Sequence, residues 1–250
     1  MKSVLLLPLL CAGLLLACSS GNEPDGDSLI IPWYRCYTDV LQMGDTSRLQ
    51  TKTFIYGHFC YVAENGHSST VSSAIFPSQV VVNGVDYTGD VDESGAFSAS
   101  DTSGKLLAPV GEYNVWEVVE DGDVVLSESI ERSPMVIVSL TESDVYSLSE
   151  PLTIKVLGKI SADRPVNITV ENRLALGEAN PDAAKLDTVL STGEPLILEP
   201  ERMAALGFRS GTLEMKAAQI VTVEQKAWYL ARRSELRYGV YHRMTVSVEE

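Results

Sequence analysis

The stretch Tyr113–Ser127 reads YNVWEVVEDGDVVLS, and no other part of the sequence indicates a fold as clearly. Two runs rich in β-branched and aromatic residues, Tyr113–Val119 and Val124–Ser127, flank the tetrapeptide Glu120–Asp123 (EDGD). Such residues favour strands, and an Asp-Gly pair accepts the positive φ angles of a tight hairpin turn. The stretch therefore predicts an antiparallel β-hairpin.

Similar runs recur about every ten residues, which is typical of β-sandwiches rather than of alternating strands and helices. In the first half, we predict strands at Leu29–Tyr37, Thr53–Val62, Gln79–Val85 and Met135–Leu140. In the second half, we predict strands at Leu152–Leu157, Val166–Val170, Pro195–Leu198, Thr212–Ala217, Ile220–Val223 and Met244–Val248. One short helix is expected at Glu199–Leu206, ended by Gly207. The pattern predicts an all-β protein.

The distribution of charge indicates two modules. Residues 1–150 contain 6 Lys and Arg against 21 Asp and Glu, whereas residues 151–250 contain 13 of each. A Ser-, Asp- and Glu-rich break at Thr141–Ser149 separates the two halves. We therefore predict two Ig-like or transthyretin-like β-sandwich domains, residues 29–140 and residues 145–250. The acidity of the first half argues against nucleic acid as a partner.

The N-terminus has the pattern of an export signal. Lys2 precedes an apolar run, Val4–Ala17, that is short for a bilayer span. The sequence Leu15-Leu16-Ala17-Cys18 resembles the lipobox of bacterial lipoproteins. That resemblance implies that residues 1–17 are a signal peptide and that Cys18 becomes the lipid-bearing first residue, acylated with chains such as palmitate.

The residues after Cys18 suggest where such a lipoprotein resides. Ser19 stands where an Asp in proteobacterial lipoproteins favours the inner membrane, so the resemblance implies the outer membrane, facing the periplasm or the cell surface. Residues 18–28 contain Gly, Pro, Asp and Ser, and are expected to form a flexible lipidated tether. The membrane, reached through the lipid anchor, is thus one expected partner.

A second resemblance lies within the first predicted domain. Val91–Ser98 (VDESGAFS), followed by Gly111–Val115 (GEYNV), resembles the signature of carboxypeptidase-regulatory-like, transthyretin-like sandwiches. The resemblance implies that Gly95 turns a hairpin, that Phe97 enters the core and that the later tyrosine strand packs beside it. It implies an accessory or binding module and no activity of its own.

Two cysteines follow Cys18 in the sequence. Cys36 and Cys60 lie in two predicted strands, and an oxidising envelope compartment favours a disulfide between them. The alternative is a redox or metal pair, but the spacing is not C-x-x-C. We therefore predict a structural disulfide.

An acidic segment offers a candidate metal site. In Asp90–Asp101, oxygen-bearing side chains and a glycine fall at the spacing of an EF-hand-type calcium loop. Asp90, Asp92 and Asp101 would be the ligands of a bound Ca²⁺. The alternative is an acidic hairpin turn, since neither flank has a helical pattern. No other cofactor is indicated.

A C-terminal segment combines aromatic and basic residues. Lys226–Arg243 reads KAWYLARRSELRYGVYHR, in which rings that can stack on sugars alternate with cations that bind anionic groups. The candidate ligand-binding residues are Trp228, Tyr229, Arg232, Arg233, Arg237 and Tyr241. Envelope glycans or anionic polymers would be the targets. The alternative is a pair of final strands with the aromatic residues packed inward and the arginines solvated.

Catalytic patterns are weak. The sequence has no H-E-x-x-H, P-loop or G-x-G-x-x-G motif, and the segment at His67 lacks the second glycine of a nucleophile elbow. His58 stands two residues before Cys60, the spacing of a conceivable dyad. A hydrolase would require His58 or His67 to contact a serine or a carboxylate. We expect instead a non-catalytic structural, adhesive or accessory protein that contacts envelope proteins or glycans.

Overall fold

The computed structural model describes residues 29–64, 69–101, 112–132, 136–173, 184–227 and 232–250. Of these residues, 66% are in β-strands arranged in several sheets and 5% are helical, so the predicted all-β fold is confirmed. The helix predicted at Glu199–Leu206 is confirmed as α1, Pro200–Ala205, and Gly207 follows it with φ +78°. Among the described residues, no helix has the length and apolar character needed to cross a bilayer.

The strands of the first half include two long ones. They are β1 (Leu29–Met43), β2 (Gln50–Glu64), β3 (Ser69–Ala74), β4 (Gln79–Val82), β5 (Val85–Asp86), β6 (Ala96–Asp101), β7 (Tyr113–Glu120), β8 (Asp123–Glu131) and β9 (Val136–Ile137). The remaining strands are β10 (Val145–Ser147), β11 (Leu152–Ile154), β12 (Val156–Leu157), β13 (Val166–Arg173), β14 (Lys185–Leu190), β15 (Leu196–Leu198), β16 (Gly211–Ala227) and β17 (Arg232–Glu249). A 3₁₀ turn spans Thr88–Asp90.

A nine-stranded central sheet contains strands from both halves of the chain. Its order is β14-β13-β16-β17-β1-β2-β3, with β6 also paired to β2 and β10 to β17. β1 runs parallel to β17, in register from Trp33 opposite Arg233 to Met43 opposite Arg243. β10 lies within the predicted break between domains and pairs with the end of β17. Because the halves share this sheet, the prediction of two separate sandwiches is not confirmed.

A smaller sheet, β5-β4-β7-β8, contains the hairpin predicted from Tyr113–Ser127. Asp121 and Gly122 have φ angles of 51° and 88°. Two successive positive φ angles define the type I′ turn, whose twist matches that of the flanking strands. Asn83 and Gly84 make the equivalent turn between β4 and β5, with φ angles of 52° and 80°.

Side chains alternate between two faces along each strand of the central sheet. On β1, the buried residues Tyr34, Cys36, Thr38 and Val40 point to one side, which we call the inner face. The smaller sheet, the β9-β12 and β11-β15 pairs and helix α1 pack against this face and form one hydrophobic core with it. The opposite side is called the outer face.

Aromatic contacts join the smaller sheet to the inner face. Trp116 of β7 is fully buried, donates a hydrogen bond from Nε1 to Thr38 Oγ1 at 3.0 Å, and lies 5.9 Å from the ring of Phe97. Gly57 stands opposite Phe97, where a Cβ atom would lie 2.2 Å from the ring. Phe97 is thus in the core, as the transthyretin-like resemblance implies, whereas the side chain of Tyr113 is 47% exposed.

The predicted disulfide between Cys36 and Cys60 is wrong. In the β1–β2 ladder, Cys36 stands opposite Gly57, whereas Cys60 stands opposite Trp33, three positions away. An odd offset places the two side chains on opposite faces of the sheet, and three positions separate them by about 10 Å along the strands. A disulfide requires Cα atoms within about 7 Å and Cβ atoms that point toward each other. Both thiols are buried, and they are not bonded to each other.

His242 connects three parts of the inner face. It is 1% exposed, its Nδ1 accepts a hydrogen bond from the Ile137 N–H at 3.3 Å, and its Nε2 lies 2.8 Å from the Gly44 carbonyl oxygen. Because Nδ1 accepts, Nε2 must carry the proton and donate. This arrangement requires the neutral ring, and burial lowers the pKa of His242 below its ordinary value.

We expect this histidine to make stability depend on pH. Below about pH 6.5, histidine in the unfolded chain binds a proton, whereas His242 in the folded chain stays neutral to a lower pH. The free energy of unfolding should therefore fall as the pH is lowered from about 7 to 5. Urea titrations at several pH values would show a shallower decline for His242→Gln, whose amide retains one donor and one acceptor but does not titrate. The same decline in the variant as in the wild type would contradict the assignment. His58, whose pKa burial also lowers, should contribute a separate share.

Candidate functional site

The outer face carries a continuous row of aromatic and charged side chains where β1, β17 and β2 lie side by side. The registers place Trp33 beside Arg233, and Tyr37 beside both Arg237 and Tyr56. We call this row the aromatic–charged strip; it comprises Trp33, Arg35, Tyr37, Asp39, Tyr56, Arg233, Glu235, Arg237 and Tyr241. Most of these side chains are partly exposed, which is unusual for aromatic residues that serve only to fill a core.

Two guanidinium groups flank the indole ring at one end of the strip. The guanidinium carbon of Arg35 lies 3.9 Å from the centroid of the Trp33 ring, and that of Arg233 lies 4.5 Å from it. Arg233 also forms an ion pair with Glu224, at 3.2 Å between Nε and Oε1. Cation–π attraction holds both guanidinium groups against the indole ring.

The middle of the strip is an interlocked set of charges and rings. Arg237 forms an ion pair with Asp39 at 2.6 Å and lies 4.5 Å from the centroid of the Tyr37 ring. Tyr37 and Tyr56 face each other with centroids 6.0 Å apart. Burial raises the pKa of Asp39 even though Arg237 opposes that change, and the side chains of Arg237 and Asp39 are 26% and 28% exposed. Burial and the nearby Glu235 raise the pKa of Tyr37 well above its ordinary range.

Gly239 makes room for this set. A Cβ atom there would lie 2.4 Å from Asp39 Oδ1 and 2.8 Å from the Tyr241 ring. Burial and the nearby Asp39 carboxylate raise the pKa of Tyr241 to about 12. The Asp39 carboxylate and the Tyr241 ring thus both pack directly against the backbone of β17 at Gly239. Only glycine allows this close approach.

The structure separates the residues that the sequence grouped together. Arg233, Arg237 and Tyr241 belong to the strip. That they bind a ligand stays a prediction. Arg232 alternates to the other side of β17, where its charge acts on Tyr34. Trp228, Tyr229 and Cys18 lie outside the described residues. The sequence did not identify Trp33, Arg35, Tyr37 and Asp39, which are about 200 residues away in the chain.

The predicted calcium ligands are not assembled. Asp92 Oδ1 accepts hydrogen bonds from the backbone N–H groups of Ser94 and Ala96 and from the Ser94 hydroxyl, so it caps its own turn. Asp90 lies in the 3₁₀ turn, and Asp101 stands at the far end of β6, about 16 Å along the strand from Ala96. In the described part of the chain, no three His, Cys, Asp or Glu side chains could hold a metal ion. Residues 92–95 form an acidic turn that leads into β6, and because β6 pairs with β2, this turn is not the tip of a hairpin.

The candidate catalytic residues are poorly placed for hydrolysis. Cys60 is fully buried, so a substrate could not reach its thiol. His58 is nearly buried beside Tyr56, at 6.4 Å between ring centroids, and no described serine or carboxylate hydrogen-bonds to it. Burial, assisted by Arg35, lowers its pKa. His67 lies outside the described residues.

A second charged cluster lies on the outer face, away from the strip. The Glu214 carboxylate is 2% exposed and forms ion pairs with Arg173 at 2.5 Å, Lys216 at 3.1 Å and Arg243 at 2.6 Å. These cations surround a carboxylate of the protein itself. The cluster is therefore a structural salt-bridge network rather than a vacant site for an anion.

The chain matches no known protein-family model, and no curated protein is similar to it in sequence. Function must therefore be inferred from the geometry of the strip and from the sequence.

Proposed function

We propose that the protein is a non-catalytic lipoprotein, anchored to the outer membrane through Cys18, that contacts an envelope protein or glycan through the aromatic–charged strip. The strip itself carries this proposal. Nine side chains of three adjacent strands form one partly exposed surface of rings and charges. A role in structure, adhesion or support of another envelope component follows from such a surface.

Physical chemistry favours binding at this strip. Trp, Tyr and Arg are enriched at interface positions that dominate affinity, because they offer large contact areas together with donors of defined direction. The Arg237–Asp39 and Arg233–Glu224 ion pairs hold their side chains before any partner arrives, which lowers the entropic cost of binding. A rigid strand scaffold positions the whole set.

The charge balance of the strip bears on the kind of partner. Arg237 and Arg233 are each paired with a carboxylate of the protein, and Glu235 adds a further negative charge. The middle of the strip is thus close to neutral. A protein surface or an uncharged glycan suits it better than a strongly anionic polymer does, which would need uncompensated cations. The formal charge of −15 over the whole chain further disfavours nucleic acid.

Capture of envelope material would test the strip. Immobilised protein is expected to retain purified peptidoglycan or a specific envelope protein, and Tyr241→Ala and Arg237→Gln should weaken retention roughly tenfold, as loss of a central contact does. Thr222→Ala and Ile220→Ala, on the same face of β16 but outside the strip, are the matched controls. The strip would not be the contact surface if all four variants bound as well as the wild type.

A further inference from the structure

One end of the aromatic–charged strip has more hydrogen-bond donors and positive charge than the described residues satisfy. Trp33 Nε1 and Arg35 Nε are buried nitrogen atoms, and neither has an acceptor among the described residues. No described carboxylate forms an ion pair with Arg35, in contrast to Arg237 and Arg233. A buried donor without a partner costs free energy, which a bound acceptor would recover. The chemistry that fits is an anionic group with several acceptor oxygens.

This end of the strip is also the end nearest the proposed anchor. Leu29 begins β1 and is separated from Cys18 by the ten residues 19–28, and Trp33 lies roughly 13 Å farther along the strand. Ten residues of random coil have a root-mean-square span of about 18 Å and reach about 35 Å when extended. Lipid headgroups at the surface of the anchoring membrane are therefore within reach of Trp33, Arg35 and Arg233.

We propose that Trp33, Arg35 and Arg233 form a binding site for the phosphate of an anionic phospholipid headgroup, and that this contact orients the protein on its own membrane. The proposal rests on the lipid anchor of the proposed function. The stacked guanidinium groups would present N–H donors to the phosphate oxygens, while the indole ring holds both groups in place.

The net charge of the protein makes such a site important for its orientation on a membrane. An anionic bilayer repels a protein with a formal charge of −15, so a local cationic site determines which surface approaches the membrane. Near the same end, Glu120 contacts the Tyr34 hydroxyl on the inner-face side of the sheet. On the outer face, Arg35 and Arg233 both lie against Trp33. On the inner-face side, the charge of Arg232 offsets that of Glu120. The headgroup contact would therefore turn the Trp33 end of the outer face toward the bilayer, whereas Arg243 lies ten residues, about 33 Å, farther along β17.

Arginine modification in vesicles tests the proposal on the lipidated full chain. The protein is reconstituted in phosphatidylcholine vesicles with or without about 30% phosphatidylglycerol, and phenylglyoxal modification of each arginine is followed by mass spectrometry. We expect phosphatidylglycerol to slow modification of Arg35 and Arg233 about fivefold, the effect of one favourable charge contact at an anionic surface. Arg173 and Arg243, whose side chains are 51% and 44% exposed, are internal controls whose rates should not change.

Two variants separate the site from general adsorption. Trp33→Leu removes the stacking surface, and Arg35→Gln removes the cation that lacks a carboxylate partner. In each variant, phosphatidylglycerol should no longer slow the modification of Arg233. Unchanged modification rates at Arg173 and Arg243 would show that the fold persists. Retention of the full effect in both variants would overturn the proposal.

The remaining outcomes are distinct. If the chain fails to float with vesicles, the lipid anchor is wrong and the headgroup site, which depends on it, falls as well. If the chain floats but Arg35 reacts equally in both kinds of vesicle, only the headgroup site is overturned. Protection by soluble peptidoglycan fragments and not by phosphatidylglycerol would assign the three residues to a glycan and would also overturn it.

Discussion

Gly95→Ala is expected to lower the free energy of unfolding by about 3 kcal/mol, through backbone strain and overpacking together. Gly95 has φ +75°, and a Cβ atom there would lie 2.4 Å from the carbonyl oxygen of Phe59 and 2.9 Å from that of Ile75. Both obstacles are backbone atoms, so no side chain can rotate to relieve the contact. Urea unfolding followed by circular dichroism would measure the change.

The matched control is Gly122→Ala at the tip of the β7–β8 hairpin. Gly122 also has a positive φ, +88°, but nothing lies within 4 Å of its missing Cβ atom. Conformational strain alone should cost about 1 kcal/mol there. The difference between the two variants isolates the close approach at Gly95. Equal losses would show that the backbone around Phe59 yields readily, contrary to the hydrogen bond from the Phe59 N–H to the Gly95 carbonyl at 2.9 Å.

Trp116→Ala should cost about 4 kcal/mol, because it removes the largest side chain that is fully buried between the central and smaller sheets. The cavity would form where Trp116 meets Phe97, and the Thr38 hydroxyl would lose its donor. Thermal and urea unfolding would give the loss of stability.

Trp116→Phe separates the contribution of the packed ring from that of the hydrogen bond to Thr38. The phenyl ring retains most of the apolar contact with Phe97 but cannot donate to Thr38 Oγ1, so the expected cost is about 1–2 kcal/mol. If Trp116→Ala and Trp116→Phe proved equally destabilising, the hydrogen bond rather than the packed volume would dominate. If neither changed stability, the smaller sheet would not depend on this contact.

Elements specified by adjacent residues could be predicted from the sequence. The β7–β8 hairpin depends on Asp121-Gly122, and α1 depends on Pro200 at its start and Gly207 after its end. The strand Ala96–Asp101 (AFSASD) was missed because small polar residues weaken its apolar alternation. The parallel pairing of β1 with β17 has no local signal, since its partners are about 200 residues apart.

The residues of the candidate site likewise divide into those that adjacent sequence indicates and those that it does not. Arg233, Arg237 and Tyr241 could be predicted because aromatic and basic residues recur along one segment. Their neighbours on β1 could not, because nothing in Trp33 or Arg35 indicates which strand lies beside them. Strand alternation, applied to the whole of β17, would have separated Arg232 from Arg233.

The pairing of the first described strand with the last has a consequence for the order of folding. β1 gains one of its two neighbours only when Arg233–Arg243, about 200 residues later in the sequence, is present. Contacts between such distant residues form slowly, because a long loop must close before they contribute stability. The first strand of the central sheet therefore stays incompletely paired until β17 has been synthesised.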